Sequence, residues 1–142
     1  MYINMNHYLL VGSSFLLLLN YIYERQNEWE NNLIGLVYIN CILSVMFWMN
    51  PVKQSWIHRI DAVFAKISLL MFTTYIMFIK SVGSRRKFAY TIALSYVAIM
   101  AFFSNVYSRL EWVCRDHVMS HFAFHVFATM GTLFAFVPVP VI

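Results

Sequence analysis

Five apolar runs, each long enough to cross a lipid bilayer, constrain this chain more than any other feature. They cover residues 8–24, 33–49, 57–79, 88–107 and 117–137. A membrane-spanning α-helix needs about 17 to 25 predominantly apolar residues. The runs are apolar on all sides, whereas a transmembrane β-strand alternates apolar and polar side chains. The sequence therefore predicts an all-α, polytopic membrane helical bundle of about five transmembrane helices, forming one domain over residues 1–142.

The composition excludes a water-soluble fold and a nucleic-acid-binding protein. Of the 142 residues, 61% are hydrophobic and 11% are charged, and the mean hydropathy is +0.66. Soluble domains carry about 25% charged residues. The net charge of +4 comes from cations scattered between the apolar runs, whereas nucleic-acid binding needs a basic stripe on one face. We therefore expect membrane lipids as partners, no nucleic acid, and an integral, multi-pass location.

The segments between the runs are short and polar, which indicates one compact bundle without linkers. The first run has no cationic stretch before it and no cleavage motif after it, so we interpret it as a retained anchor rather than a signal peptide. Lysines and arginines are nearly balanced between the two sides, with a slight preference for a cytoplasmic SRRK loop. Four tryptophans near the run ends are expected in the lipid headgroup region, namely Trp29, Trp48, Trp56 and Trp112.

Ionisable side chains inside two of the apolar runs are the strongest functional signal. His58 and Asp61 are three residues apart near the start of the third run, and therefore share one helix face. The fifth run begins with His117, His121 and His125 at four-residue spacing. Charges and imidazoles inside a bilayer are costly and mark function or a paired partner. A single histidine near a run end is typical of the interface, which is the interpretation favoured for His117.

The depths of these groups predict that they meet in one layer. The third and fifth runs begin on the same side of the membrane, so Asp61 lies about 7 Å, His121 about 9 Å and His125 about 15 Å inside their helices. Ser44 falls at a similar depth near the end of the second run. Imidazoles and a carboxylate suit zinc, and zinc acidifies a bound water to a pKa near 7. Lys66 lies deeper in the third run, where it either pairs with a carboxylate or extends toward the surface.

These residues resemble a superfamily of seven-span membrane proteins that contains the alkaline ceramidases, the progestin and adipoQ receptors and the myomaker-like proteins. That superfamily carries a serine near the end of its second span, an aspartate early in its third and a His-x-x-x-His early in its last. Ser44, Asp61, and His121 with His125 stand at the matching positions. The segment from Arg115 to Pro140 is particularly similar to the last span of the myomaker-like branch.

The resemblance implies zinc bound by histidines, with the aspartate and serine near the metal-bound water. The superfamily has a histidine four residues after its serine, whereas this chain has Trp48 there, so His58 would supply the third ligand. The chain also has five predicted spans in place of seven. The resulting hypothesis is a zinc-dependent hydrolase of lipid amides or esters, with His58, His121 and His125 as ligands and Asp61 and Ser44 as catalytic residues.

Two other functions fit the same sequence features. The polar layer could lock helix packing in a non-catalytic scaffold, receptor-like or fusion-type membrane protein. A b-type haem held by one histidine from the third run and one from the fifth is the other alternative. No nucleotide-binding loop, channel filter or nucleophile elbow occurs in the sequence.

Overall fold

The computed structural model describes residues 7–140, and they form an all-α bundle, as the sequence predicts. Helix α1 spans His7–Ser14 and continues as a 3-10 helix over Phe15–Ile22. Helix α2 spans Glu28–Met49, and α3 spans Trp56–Thr74 and ends in a π-helical segment over Tyr75–Ile79. Helices α4 and α5 span Ser84–Leu110 and Arg115–Phe136. No residue between 7 and 140 is in a β-strand.

Four of the helices are long and apolar enough to cross a membrane, and the first helical segment is shorter. Its second half rises about 2.0 Å per residue, as a 3-10 helix does, instead of about 1.5 Å. The eight α-helical and eight 3-10 residues therefore extend about 28 Å together, close to the roughly 30 Å of a hydrocarbon core. The hydroxyls of Ser13 and Ser14 both donate to the carbonyl of Leu10, just before the geometry changes.

The long helices begin earlier than the apolar runs because polar residues cap their first turns. In α2 the side chain of Asn27 accepts a hydrogen bond from the backbone N–H of Glu30, so the helix begins five residues before the predicted run at 33. Ser55 caps α3 and Cys114 caps α5 in the same way. Gly83 precedes α4, which includes the basic residues of the SRRK segment in its first turn.

Helix α5 lies at the centre of the bundle. It packs along α4 and also contacts α1 and the 3-10 helix, while α2 packs against α1 and α3. Helix α3 contacts chiefly α2, and its last turns reach α5 through Phe72, which packs against Phe136, and through the π-helical end. Two buried apolar clusters hold the bundle, one around Phe72, Ile76 and Phe136 and the other around Phe47 and Trp48.

The outer surface of the bundle is as apolar as its interior. In each of the four long helices only a minor share of the most apolar 18-residue stretch is buried. The share is 33% in α2, 22% in α3 with its π-helical end, 22% in α4 and 28% in α5. Large side chains such as Leu70 and Phe78 are 67% and 82% exposed. Exposed apolar surface on this scale is incompatible with water but suits a lipid environment. Length, composition and surface thus indicate a multi-pass membrane protein.

Candidate functional site

Two histidines of α5 lie side by side in the bundle, each held by a serine from another helix. The ring centroids of His121 and His125 are 4.8 Å apart. The hydroxyl of Ser104 in α4 is 2.8 Å from Nδ1 of His121, and the hydroxyl of Ser13 in α1 is 2.7 Å from Nδ1 of His125. One nitrogen of each ring is therefore engaged, and neither Nε2 atom has a hydrogen-bond partner in the part of the chain that is described.

The bond of Ser13 to His125 is compatible with the tautomer that carries its proton on Nδ1. A serine hydroxyl carries one proton, and that of Ser13 lies within donating distance of the backbone carbonyl of Leu10, at 3.1 Å. When it is donated there, the bond to His125 is donated by Nδ1–H, with the serine oxygen as acceptor. A neutral ring with its proton on Nδ1 keeps a lone pair on Nε2. His125 is thus set up as a proton acceptor or a metal ligand at Nε2.

Ser44 joins this centre through α1. Its hydroxyl is 2.7 Å from that of Ser14, which follows Ser13 in the chain, and both Ser14 and Ser44 are buried. One turn further into α2, the amide of Asn40 donates to the hydroxyl of Ser68 in α3. The polar residues therefore connect α1, α2, α3 and α5 at neighbouring levels.

Trp48 contributes a hydrogen-bond donor that has no acceptor. The side chain is 1% exposed, and its indole Nε1–H is without a partner among residues 7–140. Its ring centroid lies 4.8 Å from that of His121 and 6.0 Å from that of His117. Trp48 is the second-last residue of α2, and its ring packs into the bundle; its location at the level of the lipid headgroups stays a prediction. Leaving such a donor unpaired costs about 1–3 kcal/mol.

His58 and His117 serve matching structural roles at the starts of α3 and α5. The backbone N–H of Gln54 donates to Nδ1 of His58 at 3.0 Å, and that of Val113 donates to Nδ1 of His117 at 3.1 Å. Both donors have a left-handed backbone, with φ of 61° and 60°. An Nδ1 that accepts a hydrogen bond leaves the proton of a neutral ring on Nε2. His58 therefore offers zinc a lone pair only if this cap is broken.

Asp61 makes no polar contact with the histidine pair. It is half-buried and lies on the same side of α3 as Ser68, seven residues later, which faces α2. Its carboxylate makes no hydrogen bond and no ion pair with any described residue. The side chain is thus on the side of α3 that faces α2, and no hydrogen bond or ion pair joins it to His121 or His125.

Residues 7–140 do not assemble a zinc site with three protein ligands. No group of three histidine, cysteine, aspartate or glutamate side chains in that range could hold a metal ion. His121 and His125 are adjacent, whereas His58 caps its own helix and Asp61 stands apart. Zinc binding by His58, His121 and His125 therefore stays a prediction, for which the fold supplies one pair of imidazoles.

A second polar cluster, at the other end of the bundle, was not predicted from the sequence. Glu30 and Lys80 form a buried ion pair at 3.1 Å, with side-chain exposures of 0% and 6%. The carboxylate of Glu30 also accepts hydrogen bonds from the hydroxyl of Tyr75 and the backbone N–H of Gln26, each at 2.7 Å. Lys80 donates as well to the carbonyls of Ala135 and Val137. The pair thereby connects α2 and α3 to the end of α5 and borders a cavity of about 240 Å³.

Of the residues that build the histidine centre, the sequence identified Ser44, His121 and His125, and it missed Ser13, Ser14 and Ser104. A serine in an apolar helix bonds its own backbone as readily as a neighbouring helix, so its type alone is no signal. Comparison with protein-family models, curated proteins and solved structures gave no match for this chain.

Proposed function

We propose that the chain is an integral, multi-pass membrane protein that binds the carbonyl group of a lipid amide or ester beside His121 and His125, and hydrolyses it. The observation that carries the proposal is the unpaired indole N–H of Trp48, which is buried against the ring of His121. A buried donor of this kind can bind an acceptor from outside the protein, either a water molecule or an oxygen atom of a ligand. Inside a lipid bilayer, the carbonyl oxygens of lipids are the abundant acceptors.

The proposed chemistry assigns one role to each side chain. Trp48 donates to the carbonyl oxygen and to the negative charge that develops on it. Nε2 of His125 accepts a proton from water as the water oxygen attacks the carbonyl carbon. The carbon–nitrogen or carbon–oxygen bond then breaks, and the same proton passes from Nε2 to the leaving group. The step needs the tautomer of His125 whose proton is on Nδ1, and in that tautomer Nδ1–H donates to the hydroxyl of Ser13.

The resemblance to the ceramidase and receptor superfamily supports the same substrate class. Ser44, His121 and His125 match its pattern and lie in or beside the centre. Asp61 matches by sequence, and it would take part only if a bound ligand bridged the gap to the histidines.

The test is hydrolysis of fluorogenic lipid amides and esters by purified protein in liposomes. We expect Trp48→Phe to lower kcat by roughly 100-fold, the scale on which loss of one oxyanion donor acts. His125→Gln should remove the base and lower kcat by about 100-fold to 10,000-fold. Trp29→Phe, which changes a tryptophan at the other end of the bundle, should leave the rate unchanged. Hydrolysis that is equal in Trp48→Phe and wild type would refute the proposal.

A zinc-dependent form of the same reaction is the second candidate, and the His-x-x-x-His of α5 favours it. His121 and His125 would hold the ion, and their serine bonds resemble the contacts that orient metal-binding imidazoles. When bound, zinc would supply an acidified water and polarise the carbonyl. Metal analysis of the wild type against a His121→Ala/His125→Ala double variant decides this, and an absorbance spectrum of the same sample tests for haem. If the protein folds stably but binds no metal and hydrolyses no lipid, both catalytic candidates are refuted. The polar layer would then serve only to hold the helices together.

A further inference from the structure

Lys66 places a positive charge in the middle of the outer face of α3. It lies ten residues after Trp56, about 15 Å along the 24-residue span Trp56–Ile79 and near its midpoint. The side chain is exposed, and it stands among exposed apolar residues of the same helix, namely Val63, Ile67 and Leu70. In the membrane placement of the proposed function, on which this inference rests, this face meets lipid tails.

The side chain cannot reach water by itself. A four-carbon stem falls well short of the roughly 15 Å that separates Lys66 from the first turn of α3. A charged side chain at this depth is costly and is almost always paired with another group. No hydrogen bond or ion pair of Lys66 occurs with any residue between 7 and 140.

The chain itself offers no carboxylate that could neutralise Lys66, either within one molecule or from a second copy. Glu30 is fully buried and already paired with Lys80. Asp61 lies on the side of α3 that faces α2, away from the outer face. The other acidic residues of the described range lie in first turns and loops at the bundle ends, at Glu24, Glu28, Glu111 and Asp116.

We propose that the outer face of α3 around Lys66 docks a membrane-spanning helix of a different protein, one that carries an aspartate or glutamate near mid-bilayer. The exposed cation supplies charge complementarity to that carboxylate. The flanking apolar residues supply packing surface, and α3 is free to present this face because it packs chiefly against α2.

The test uses a synthetic leucine-rich membrane-spanning peptide with one central glutamate, and a matched peptide with glutamine in its place. Association with labelled protein in phosphatidylcholine liposomes is measured by resonance energy transfer. We expect the glutamate peptide to bind wild-type protein about 5- to 30-fold more tightly than the glutamine peptide, since polar pairs between membrane helices contribute about 1–2 kcal/mol. Lys66→Met should abolish that preference, Lys66→Arg should keep it, and Lys53→Met in the loop before α3 should not change it.

Equal binding of the two peptides to wild-type protein would overturn the proposal. A preference that survives in Lys66→Met would overturn it as well. Flotation of the liposomes after carbonate washing is measured in parallel. Loss of the protein from the floated vesicles would refute the membrane placement itself, whereas retention without a peptide preference would refute only this inference. Neither readout depends on hydrolysis.

Discussion

The buried ion pair of Glu30 and Lys80 allows a quantitative prediction about stability. Replacing Glu30 with glutamine keeps the side-chain volume but leaves the ammonium of Lys80 in a buried site with only backbone carbonyls as partners. Breaking a buried pair by removing one partner costs about 3–5 kcal/mol, because the remaining charge is not compensated. The hydroxyl of Tyr75 and the N–H of Gln26 also lose a charged acceptor. We therefore expect Glu30→Gln to lower the free energy of unfolding by about 3–5 kcal/mol.

The assay is a double-mutant cycle in mixed micelles, with unfolding followed by circular dichroism. Lys80→Met should cost a similar amount, because it leaves Glu30 buried with a negative charge. The double variant should cost less than the two single variants added together, since it leaves no unpaired charge. Glu28→Gln changes an exposed glutamate in the first turn of the same helix and should shift stability by less than about 0.5 kcal/mol. Additive effects in the cycle, or a cost of Glu30→Gln below about 1 kcal/mol, would contradict the reasoning.

Three further predictions concern local contacts. His117→Ala should destabilise the protein by about 2–5 kcal/mol in thermal melting, because it removes the acceptor of the Val113 N–H and leaves a cavity where the buried ring was, and an unchanged melting temperature would contradict this role. Asn40→Ala should lower the stability by about 0.6–2 kcal/mol in the same assay, because it removes the hydrogen bond to Ser68; an unchanged stability of Ser68→Ala would contradict this explanation. Gly131→Ala should stabilise by about 0.5–1 kcal/mol, since the new methyl group meets Tyr90 at an ordinary 3.8 Å; destabilisation would mean that the contact is tighter.

The sequence predicted the helices well because helix length and position are local properties of the chain. The last four runs each correspond to a long apolar helix, with boundaries that differ by a few residues where caps extend the first turn. The first run was predicted as an ordinary span, but it turns into a 3-10 helix after Ser14. Nothing in the run FLLLLNYI distinguishes a 3-10 helix from an α-helix, because apolar side chains are compatible with both.

The candidate site was predicted in part, for a reason that Trp48 and His58 illustrate. Depth along a helix follows from counting residues, so the common level of Ser44, His121 and His125 could be predicted. Rotation about the helix axis could not, because a run that is apolar on all sides has no face that identifies the interior. Trp48 thus turned inward next to His121, and His58 accepted a backbone hydrogen bond at the start of its helix.

What the sequence alone determined is the number of helices and their approximate extent, because both depend on the hydrophobicity of a continuous stretch, and the same hydrophobicity indicates a lipid environment. Only the tertiary structure decided which polar groups meet. Ser13 reaches His125 and Glu30 reaches Lys80 across long stretches of chain. These contacts depend on the rotation of each helix about its own axis and on the helices it packs against. That arrangement depends on all the interfaces around α5 together.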